Sequence, residues 1–442
     1  MADFFFWLLV VLVGAGVCYA LWKPARMFEY PAFMAFAFAA FILPQAISLS
    51  RFPGAVDAKS VGGVMLMSCL CVAACFGGYF LNPNVSLLRW TARPVDLRKL
   101  FHVGIFFIVV SFLLAKSLAS TEVQFTEGGG MTGRGTILLF FQQLSYPGFA
   151  ICLFCAVRRP TVVNIIASVV GLLPLLEAVV IGRREGTALV ALIVLMAFYF
   201  ERKWVPPRWL FAVGLVGAML VIPATGTYRQ LASEKGISAI RDIDFIDNFK
   251  KFAFEESPIL ELRNGAAVIE SARSAGRYEY GAGYWNHLVF RFVPAQLVGR
   301  RFKDAISIGQ ASDFTEEAVT GSGFEMARGS TQTGMADTFQ QFGWFGCLFF
   351  AFMAVVFKSL WQAAQQPEAL FAKLLYVLSC TSGMRAVTHW TADFLPGLLY
   401  FIIFLGIAMF YAAVPPRALR QRPVRRPPHA LTRTQPDSNK PA

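Results

Sequence analysis

The sequence predicts an all-α, polytopic transmembrane bundle of about eleven helices with one large loop outside the membrane. Of the 442 residues, 56% are hydrophobic and 15% are charged, whereas soluble domains carry about 25% charged residues. The apolar residues gather in blocks of about 14 to 24, close to the length of helix that crosses ~30 Å of hydrocarbon. These observations argue against a soluble enzyme.

Apolar runs interrupted by charged residues, proline or glycine predict the individual spans. They are 4–22, 31–49, 61–81, 101–120, 136–157, 161–181, 187–200, 208–224, 338–361, 371–388 and 394–413. The first run has no basic segment before it and no small-residue cleavage site after it. It therefore predicts a retained span and not a signal peptide.

Basic residues in alternate connections predict the orientation. They fall on one side of the bundle: Lys23, Arg26, Arg89, Arg93, Arg98, Lys99, Arg158, Arg159, Arg202, Lys203 and Arg208. Positively charged connections face the cytoplasm, so we expect a bacterial inner-membrane protein with its N-terminus outside and its C-terminus in the cytoplasm.

Four regions follow from these spans: helices one to eight over 1–224, a large outer loop over 225–337, helices nine to eleven over 338–413, and a tail over 414–442. The loop is hydrophilic, with 15 acidic and 13 basic residues. Apolar residues from Ile237 to Phe252 predict a short amphipathic helix at the bilayer surface, and Ser257 and Pro258 predict the start of another. The tail, rich in proline and arginine, predicts a disordered segment that touches anionic lipid.

The charge and the cysteines exclude several other classes. The net charge of +13 comes largely from residues that flank the spans, which is a topology signal and not a nucleic-acid site. All eight cysteines lie in apolar blocks and are read as small buried hydrophobic residues. Neither a metal site nor a cofactor is predicted.

The turn Gly182–Gly186 carries two arginines on the predicted outer side, against the positive-inside bias. Guanidinium groups bind phosphate oxygens with paired hydrogen bonds, so Arg183 and Arg184 are candidate ligands for a lipid-linked diphosphate, with Glu185 beside them. The alternative is that the arginines contact lipid headgroups or pair with Glu185.

A second group of polar and aromatic residues lies within the large loop. The aromatic faces are suited to stacking on sugar rings, the basic groups to holding phosphate, and the histidine to moving a proton. An aromatic belt with headgroup-binding arginines is the alternative reading. The group runs from Tyr278 to Lys303, and its members are Tyr278, Tyr280, Tyr284, Trp285, His287, Arg291, Arg300, Arg301 and Lys303, together with Phe292, Val293 and Pro294.

The third group, Arg385, His389 and Asp393, lies in the last outer hairpin. The residues are four apart, so they share one face if the helix continues through them. Such a face can orient an acceptor hydroxyl or form a hydrogen-bonded plug between helices.

Taken together, residues of roughly 175–350 resemble the bacterial O-antigen polymerases and related oligosaccharide repeat-unit polymerases of the Wzy type. The motifs that carry the resemblance are Gly182-Arg183-Arg184-Glu185-Gly186, Phe292-Val293-Pro294 followed by Arg300, Arg301 and Lys303, and Ser330-Thr331-Gln332-Thr333-Gly334 running into Phe339-Gln340-Gln341-Phe342-Gly343-Trp344-Phe345-Gly346.

The resemblance implies metal-independent inverting transfer of a growing glycan from undecaprenyl diphosphate to another lipid-linked repeat unit, at the outer face of the membrane. It implies a flippase and a chain-length regulator as partners, and roles for Arg183 or Arg184 and for loop arginines. The chain departs from members that have two arginine-bearing outer loops. Glu185, His287 or His389 is the expected general base.

Three alternative functions remain open from the sequence. O-antigen ligases resemble this architecture and use a histidine in the large loop, where His287 is the counterpart. A transporter or flippase would bind substrate at the same arginines without cleaving it, and a membrane scaffold would bind a partner protein there.

Overall fold

The computed structural model describes residues 1–54, 56–81, 83, 91, 93–121, 124–125, 131–255, 260–309, 326 and 330–414. These residues are almost entirely helical. Within them, nine helical segments are long and apolar enough to cross a membrane. The protein is therefore a multi-pass membrane protein. Of the predicted tail, residues 415–442 lie outside the described part, as do Ser257 and Pro258.

The first half of the chain forms α1 to α7. Their bounds are Ala2–Trp22 (α1), Tyr30–Ala37 (α2), Leu43–Arg51 (α3), Ala58–Phe80 (α4), Leu97–Ala119 (α5), Arg134–Gln142 (α6) and Ser145–Arg158 (α7). A 3-10 turn at Pro24–Phe28 precedes α2, and a π-helical segment at Phe38–Ile42 joins α2 to α3 without a break. The antiparallel pair Gln124–Phe125 (β1) and Met131–Thr132 (β2) precedes α6.

The next helices include the remaining predicted spans of the first region. They are Val162–Val180 (α8), Arg184–Arg202 (α9) and Arg208–Lys235 (α10). The predicted spans 161–181 and 187–200 correspond to α8 and α9, which are helical but are not among the nine segments. The count of eleven spans stays a prediction. Helix α10 continues past the predicted boundary at 224 and ends only at Gly236, which has a positive φ of 59°.

The segment between α10 and the C-terminal spanning helices is built from short helices. They are a 3-10 helix at Gly236–Asp242, then Phe245–Phe254 (α11), Glu261–Ala275 (α12), Ala282–Phe292 (α13), Ala295–Val298 (α14) and Arg300–Ile306 (α15). The amphipathic helix predicted from Ile237 to Phe252 is thus two elements, the 3-10 helix and α11. They are separate because the Asp244 side chain accepts a hydrogen bond from Asp247 N and caps a new helix. That this segment lies on the non-cytoplasmic side of the membrane stays a prediction.

The chain returns through Thr333–Phe342 (α16), a 3-10 turn at Gly343–Gly346, and Cys347–Ala364 (α17). It ends in a hairpin of Leu370–Thr388 (α18), a 3-10 turn at Thr391–Asp393, and Phe394–Ala412 (α19). Helix α18 is the centre of the bundle, since every residue from Leu370 to Gly383 is buried.

Polar contacts at the two ends of the bundle fix which connections lie together. At one end, Lys373 Nζ lies 2.9 Å from Glu201 Oε1 and Arg158 Nε lies 3.5 Å from Glu201 Oε2, which ties α7, α9 and α18. At the other end, Ser48 Oγ donates to Glu255 O. The hairpin turn at 389–393, the turn at 181–183 and the short helices α11 to α15 share this second end, which we call the site end.

Small residues allow close helix crossings, as is common in membrane bundles. Helices α4 and α17 are in close contact at Gly78, which lies against the backbone of Ala351. A Cβ at Gly78 would lie 2.7 Å from Ala351 Cα. This crossing joins the first and second halves of the chain.

Replacing Gly78 with alanine is expected to lower the melting temperature markedly, because the extra methyl can be relieved only by separating α4 from α17. Overpacking of this kind costs about 1–3 kcal/mol. The measurement is thermal unfolding of the purified protein in one detergent. Gly77→Ala is the matched control, since no heavy atom lies within 4 Å of a Cβ there. Equal melting temperatures for the two variants would contradict the close crossing.

Candidate functional site

Helix α13 presents three polar side chains on one face towards the C-terminal hairpin. Tyr284, His287 and Arg291 are three and four residues apart, a spacing that aligns side chains on a helix. Tyr284 Oη lies 2.9 Å from Thr391 Oγ1 and His287 Nε2 lies 2.6 Å from Asp393 Oδ1. The helix begins after Gly281, whose φ is 90°, and ends before Pro294, which cannot continue it.

Asp393 is the centre of a series of contacts between oppositely charged side chains. Besides His287, it contacts Arg385, whose Nη2 lies 3.0 Å from Asp393 Oδ2. Within the described residues that oxygen accepts no hydrogen bond, so the contact with Arg385 is ionic. Arg385 Nη1 in turn donates to Glu185 Oε2 at 3.3 Å. We call Glu185, His287, Arg291, Arg385 and Asp393 the His287 cluster.

The side chains of the His287 cluster are partly exposed, to different extents. The side chain of Asp393 is 13% exposed, that of Arg385 is about one third exposed and that of Glu185 is 50% exposed. The carboxylate that contacts the histidine is therefore more sheltered than Arg385 and Glu185, which are more accessible.

Two aromatic rings and an amide hold Arg291 beside Asp393. Its guanidinium carbon lies 5.8 Å from the centroid of Phe140 and 5.9 Å from that of Tyr400, and its Nη2 donates to Gln143 Oε1. Burial lowers the pKa of Arg291, and the nearby charge of Asp393 opposes that change. Because an arginine stays protonated in proteins, Arg291 is a fixed cation of the cluster.

The turn before α9 is fixed by α10. Gly182 has a φ of 74°, Tyr228 Oη donates to Val180 O, and Arg229 Nη2 donates to Gly182 O at 3.1 Å. This anchoring sets the direction in which Arg183 and Arg184 leave the turn.

The two adjacent arginines differ from Glu185 in what they contact. Arg184 Nε donates to Thr225 Oγ1 at 2.6 Å, so it points towards α10 and not at Asp393. Burial raises the pKa of Glu261 on α12, whereas the nearby charge of Arg184 lowers it. Arg183 is exposed. Of the three predicted residues, Glu185 belongs to the His287 cluster and the arginines border it.

The condition for a shared helical face of Arg385, His389 and Asp393 is not met, because the helix does not continue through them. Helix α18 ends at Thr388, and His389 leaves the helical conformation with φ −126° and ψ −95°. The chain then turns back, which brings Asp393 to Arg385 across the hairpin. His389 is held to the helix end instead, with Nδ1 2.8 Å from Thr388 Oγ1.

His389 is a poor proton acceptor near neutral pH. Burial, followed by the charge of Arg385, lowers the pKa of His389 from 6.5 to about 4. The imidazole is therefore neutral under ordinary conditions. This leaves His287 as the histidine of the site that is both partly exposed and held by a carboxylate.

Acidification is expected to destabilise the protein through His389. Its pKa is lower in the folded state than in the unfolded state, so stability is full above pH 6.5 and falls as the pH drops from 6.5 to 4. At 1.36 kcal/mol per unit, the loss is at most about 3.4 kcal/mol. The measurement is the drop in melting temperature between pH 7 and pH 4.5 for wild type and His389→Asn. Equal drops would contradict the role of His389, because every other titrating group is common to both proteins.

A second set of hydrogen bonds joins α13 to the hairpin and to α16. Asp337 accepts hydrogen bonds from Thr391 Oγ1 and from Ala392 N, the latter at 3.0 Å, and Thr391 also contacts Tyr284. Asp337 is buried. It holds the turn that bears Asp393 against the helix that bears His287, and sequence reasoning did not single it out.

Four predicted site residues lie away from the His287 cluster. Trp285 points to the opposite face of α13, where its Nε1 donates to Ile306 O at 2.8 Å. Lys303 Nζ lies 4.6 Å above the ring of Phe290. Arg300 and Arg301 are exposed on α15. Tyr284, although near the cluster, is buried and contacts Thr391, and its role in binding substrate stays a prediction.

The arrangement combines a proton acceptor with fixed cations. When His287 Nε2 carries the proton and donates to Asp393, the other ring nitrogen, Nδ1, has a free lone pair. Arg291 and Arg385 place two permanent positive charges around the same carboxylate. The site can thus remove a proton from a hydroxyl and stabilise an anion beside it. The chain matches no protein-family model, no curated protein and no solved structure.

Proposed function

We propose that the protein is a membrane glycosyltransferase that polymerises oligosaccharide repeat units linked to a polyprenyl diphosphate. The observation that carries the proposal is the hydrogen bond between His287 and Asp393 inside a group of arginines. A base for an acceptor hydroxyl and cations for a diphosphate are the two requirements of this transfer. Their position at one end of a membrane bundle suits substrates that are themselves membrane-bound.

The proposed step is a direct displacement at the anomeric carbon. His287 Nδ1 takes the proton of the acceptor hydroxyl as its oxygen forms the new glycosidic bond. The bond between the anomeric carbon and the phosphate oxygen breaks, and the diphosphate leaves with that electron pair. Arg385 and Arg291 stabilise the negative charge that develops on the diphosphate, which lowers the barrier more than it strengthens substrate binding.

Transfer to a different acceptor, as in the O-antigen ligases, is the second candidate. It is favoured by one observation: the histidine of the cluster, His287, belongs to the segment 225–337, where the resemblance places the ligase histidine. The chemistry at His287 would be the same in both cases. The two functions differ only in whether the acceptor is another lipid-linked repeat unit.

The test is deletion of the gene in its host, followed by complementation at matched expression with wild type, Arg183→Ala, Arg184→Ala or His287→Ala. Lipid-linked oligosaccharides and surface polymer are then analysed. We expect single repeat units in the deletion strain and with His287→Ala. Arg277→Ala, an exposed arginine of the same segment, is the control and should restore polymer.

Other outcomes separate the candidates. Polymer of normal length that stays on its lipid carrier would favour the ligase. Repeat units retained on the cytoplasmic side would favour a flippase. Full polymer with His287→Ala would overturn the proposed site.

A further inference from the structure

The segment Ala295–Ile308 projects large apolar side chains outwards although it lies outside the spans. Leu297 is 77% exposed, Phe302 53% and Ile308 55%. The segment includes α14 and α15, two short helices joined at Gly299, whose φ is 87°. We call it the α14–α15 platform. Exposed apolar residues of this size in one short segment indicate a contact surface.

The platform lies at the end of a span. Gln296 Nε2 donates to Gly133 O at 3.1 Å, and the next residue, Arg134, begins the apolar segment Arg134–Arg158. Helix α13, which leads into the platform, packs against α19, another spanning segment. The platform is therefore level with the end of an apolar helix of membrane length.

The charge of the platform complements an anionic surface. It carries Arg300, Arg301 and Lys303 against a single acidic residue, Asp304. Basic residues that flank exposed apolar side chains are the features of a segment that lies in the membrane interface. The same three residues were predicted to bind substrate, yet they lie apart from the His287 cluster.

We propose that the α14–α15 platform is a membrane anchor that binds the anionic lipid surface. Leu297, Phe302 and Ile308 enter the boundary between headgroups and acyl chains, and Arg300, Arg301 and Lys303 bind lipid phosphates. Only Val293 and Pro294 separate the platform from α13, so its depth sets the height of His287 and Arg291 above the bilayer. The anchor does not depend on glycosyl transfer.

The test uses the full-length protein in lipid nanodiscs with a nitroxide on a cysteine at Leu297, Phe302 or Ile308. The background is Cys18→Ser, because Cys18 is the exposed native cysteine of the described residues. Collision rates with oxygen and with a water-soluble nickel complex are measured by electron paramagnetic resonance. The control label replaces Ser274, which is exposed at the end of α12.

We expect the oxygen-to-nickel ratio at Leu297 and Phe302 to exceed that at Ser274 severalfold. Adding phosphatidylglycerol to phosphatidylcholine nanodiscs should raise the ratio further, and Arg300→Gln, Arg301→Gln and Lys303→Gln together should abolish this increase. Ratios equal to that of Ser274 would overturn the anchor. A ratio that does not change with phosphatidylglycerol would overturn the binding of anionic lipid.

Discussion

Asparagine at position 393 is expected to slow glycan transfer by about 10²- to 10⁴-fold, the range in which a positioned general base contributes. Asp393 Oδ1 accepts the hydrogen bond from His287 Nε2 at 2.6 Å. That contact places the ring proton on Nε2 and leaves Nδ1 free. An asparagine amide can donate to Nε2 and so favour the tautomer that carries its proton on Nδ1. In that tautomer Nδ1 has no free lone pair, so it cannot accept the proton of the hydroxyl.

The measurement is the transfer rate of purified protein in nanodiscs with a lipid-linked oligosaccharide, for Asp393→Asn, His287→Ala and the double variant. Residues that act as a unit show non-additive losses, so the double variant should be little slower than the worse single variant. Asp247→Asn, which removes an exposed ion pair with Lys251, is the control. Multiplicative losses in the double variant would show that the two residues act separately.

The bundle was accessible to sequence reasoning because each span is a local pattern. A run of apolar residues of membrane length needs no knowledge of its neighbours. Local reasoning was less successful at the end of α10, which continues to Lys235, whereas α18 stops at Thr388, where the predicted span also ends. The end of α10 depends on the backbone conformation of Gly236, which apolar periodicity does not encode.

The pairing within the site could not be predicted. His287 and Asp393 are 106 residues apart and Glu185 and Arg385 are 200 residues apart, so their contacts depend on how the helices pack. Glu185 was nevertheless singled out by its position, because it lies beside two arginines on the predicted outer side, against the positive-inside bias.

Asp337 shows what such reasoning misses. At the sequence level it is one of 15 acidic residues between 225 and 337, and it lies at the predicted boundary between loop and span. Its importance comes from burial and from the backbone of Ala392, to which it is bound. Gln143 was missed for a similar reason, since an amide between two helical segments has no distinguishing pattern.

Glutamine at position 385 is expected to reduce the rate of transfer by about 10²- to 10³-fold, the loss typical of removing one group that stabilises a developing anion. Arg385 lies between two carboxylates and is about one third exposed, so it is both held in place and accessible. A guanidinium has five N–H donors, and two of its nitrogens contact the acids here. The remaining N–H groups are available to a diphosphate oxygen.

Replacing Arg385 with lysine separates the contribution of the positive charge from that of the planar guanidinium geometry. Lysine keeps the positive charge but lacks the planar fork that binds two phosphate oxygens at once, so its rate should fall between those of wild type and Arg385→Gln. Inhibition by inorganic diphosphate provides a second measurement, because loss of an anion ligand weakens inhibition as well as transfer. Arg277→Gln, an exposed arginine, should change neither.

A purely structural role for Arg385 makes the opposite prediction. Glu185 is half exposed, so losing its partner costs little, whereas Asp393 is sheltered and would lose its main cation. Arg385→Gln would then lower the melting temperature and slow transfer without altering inhibition by diphosphate. Weaker inhibition at an unchanged melting temperature would place Arg385 on the substrate, and unchanged inhibition with a lower melting temperature would limit it to holding Asp393.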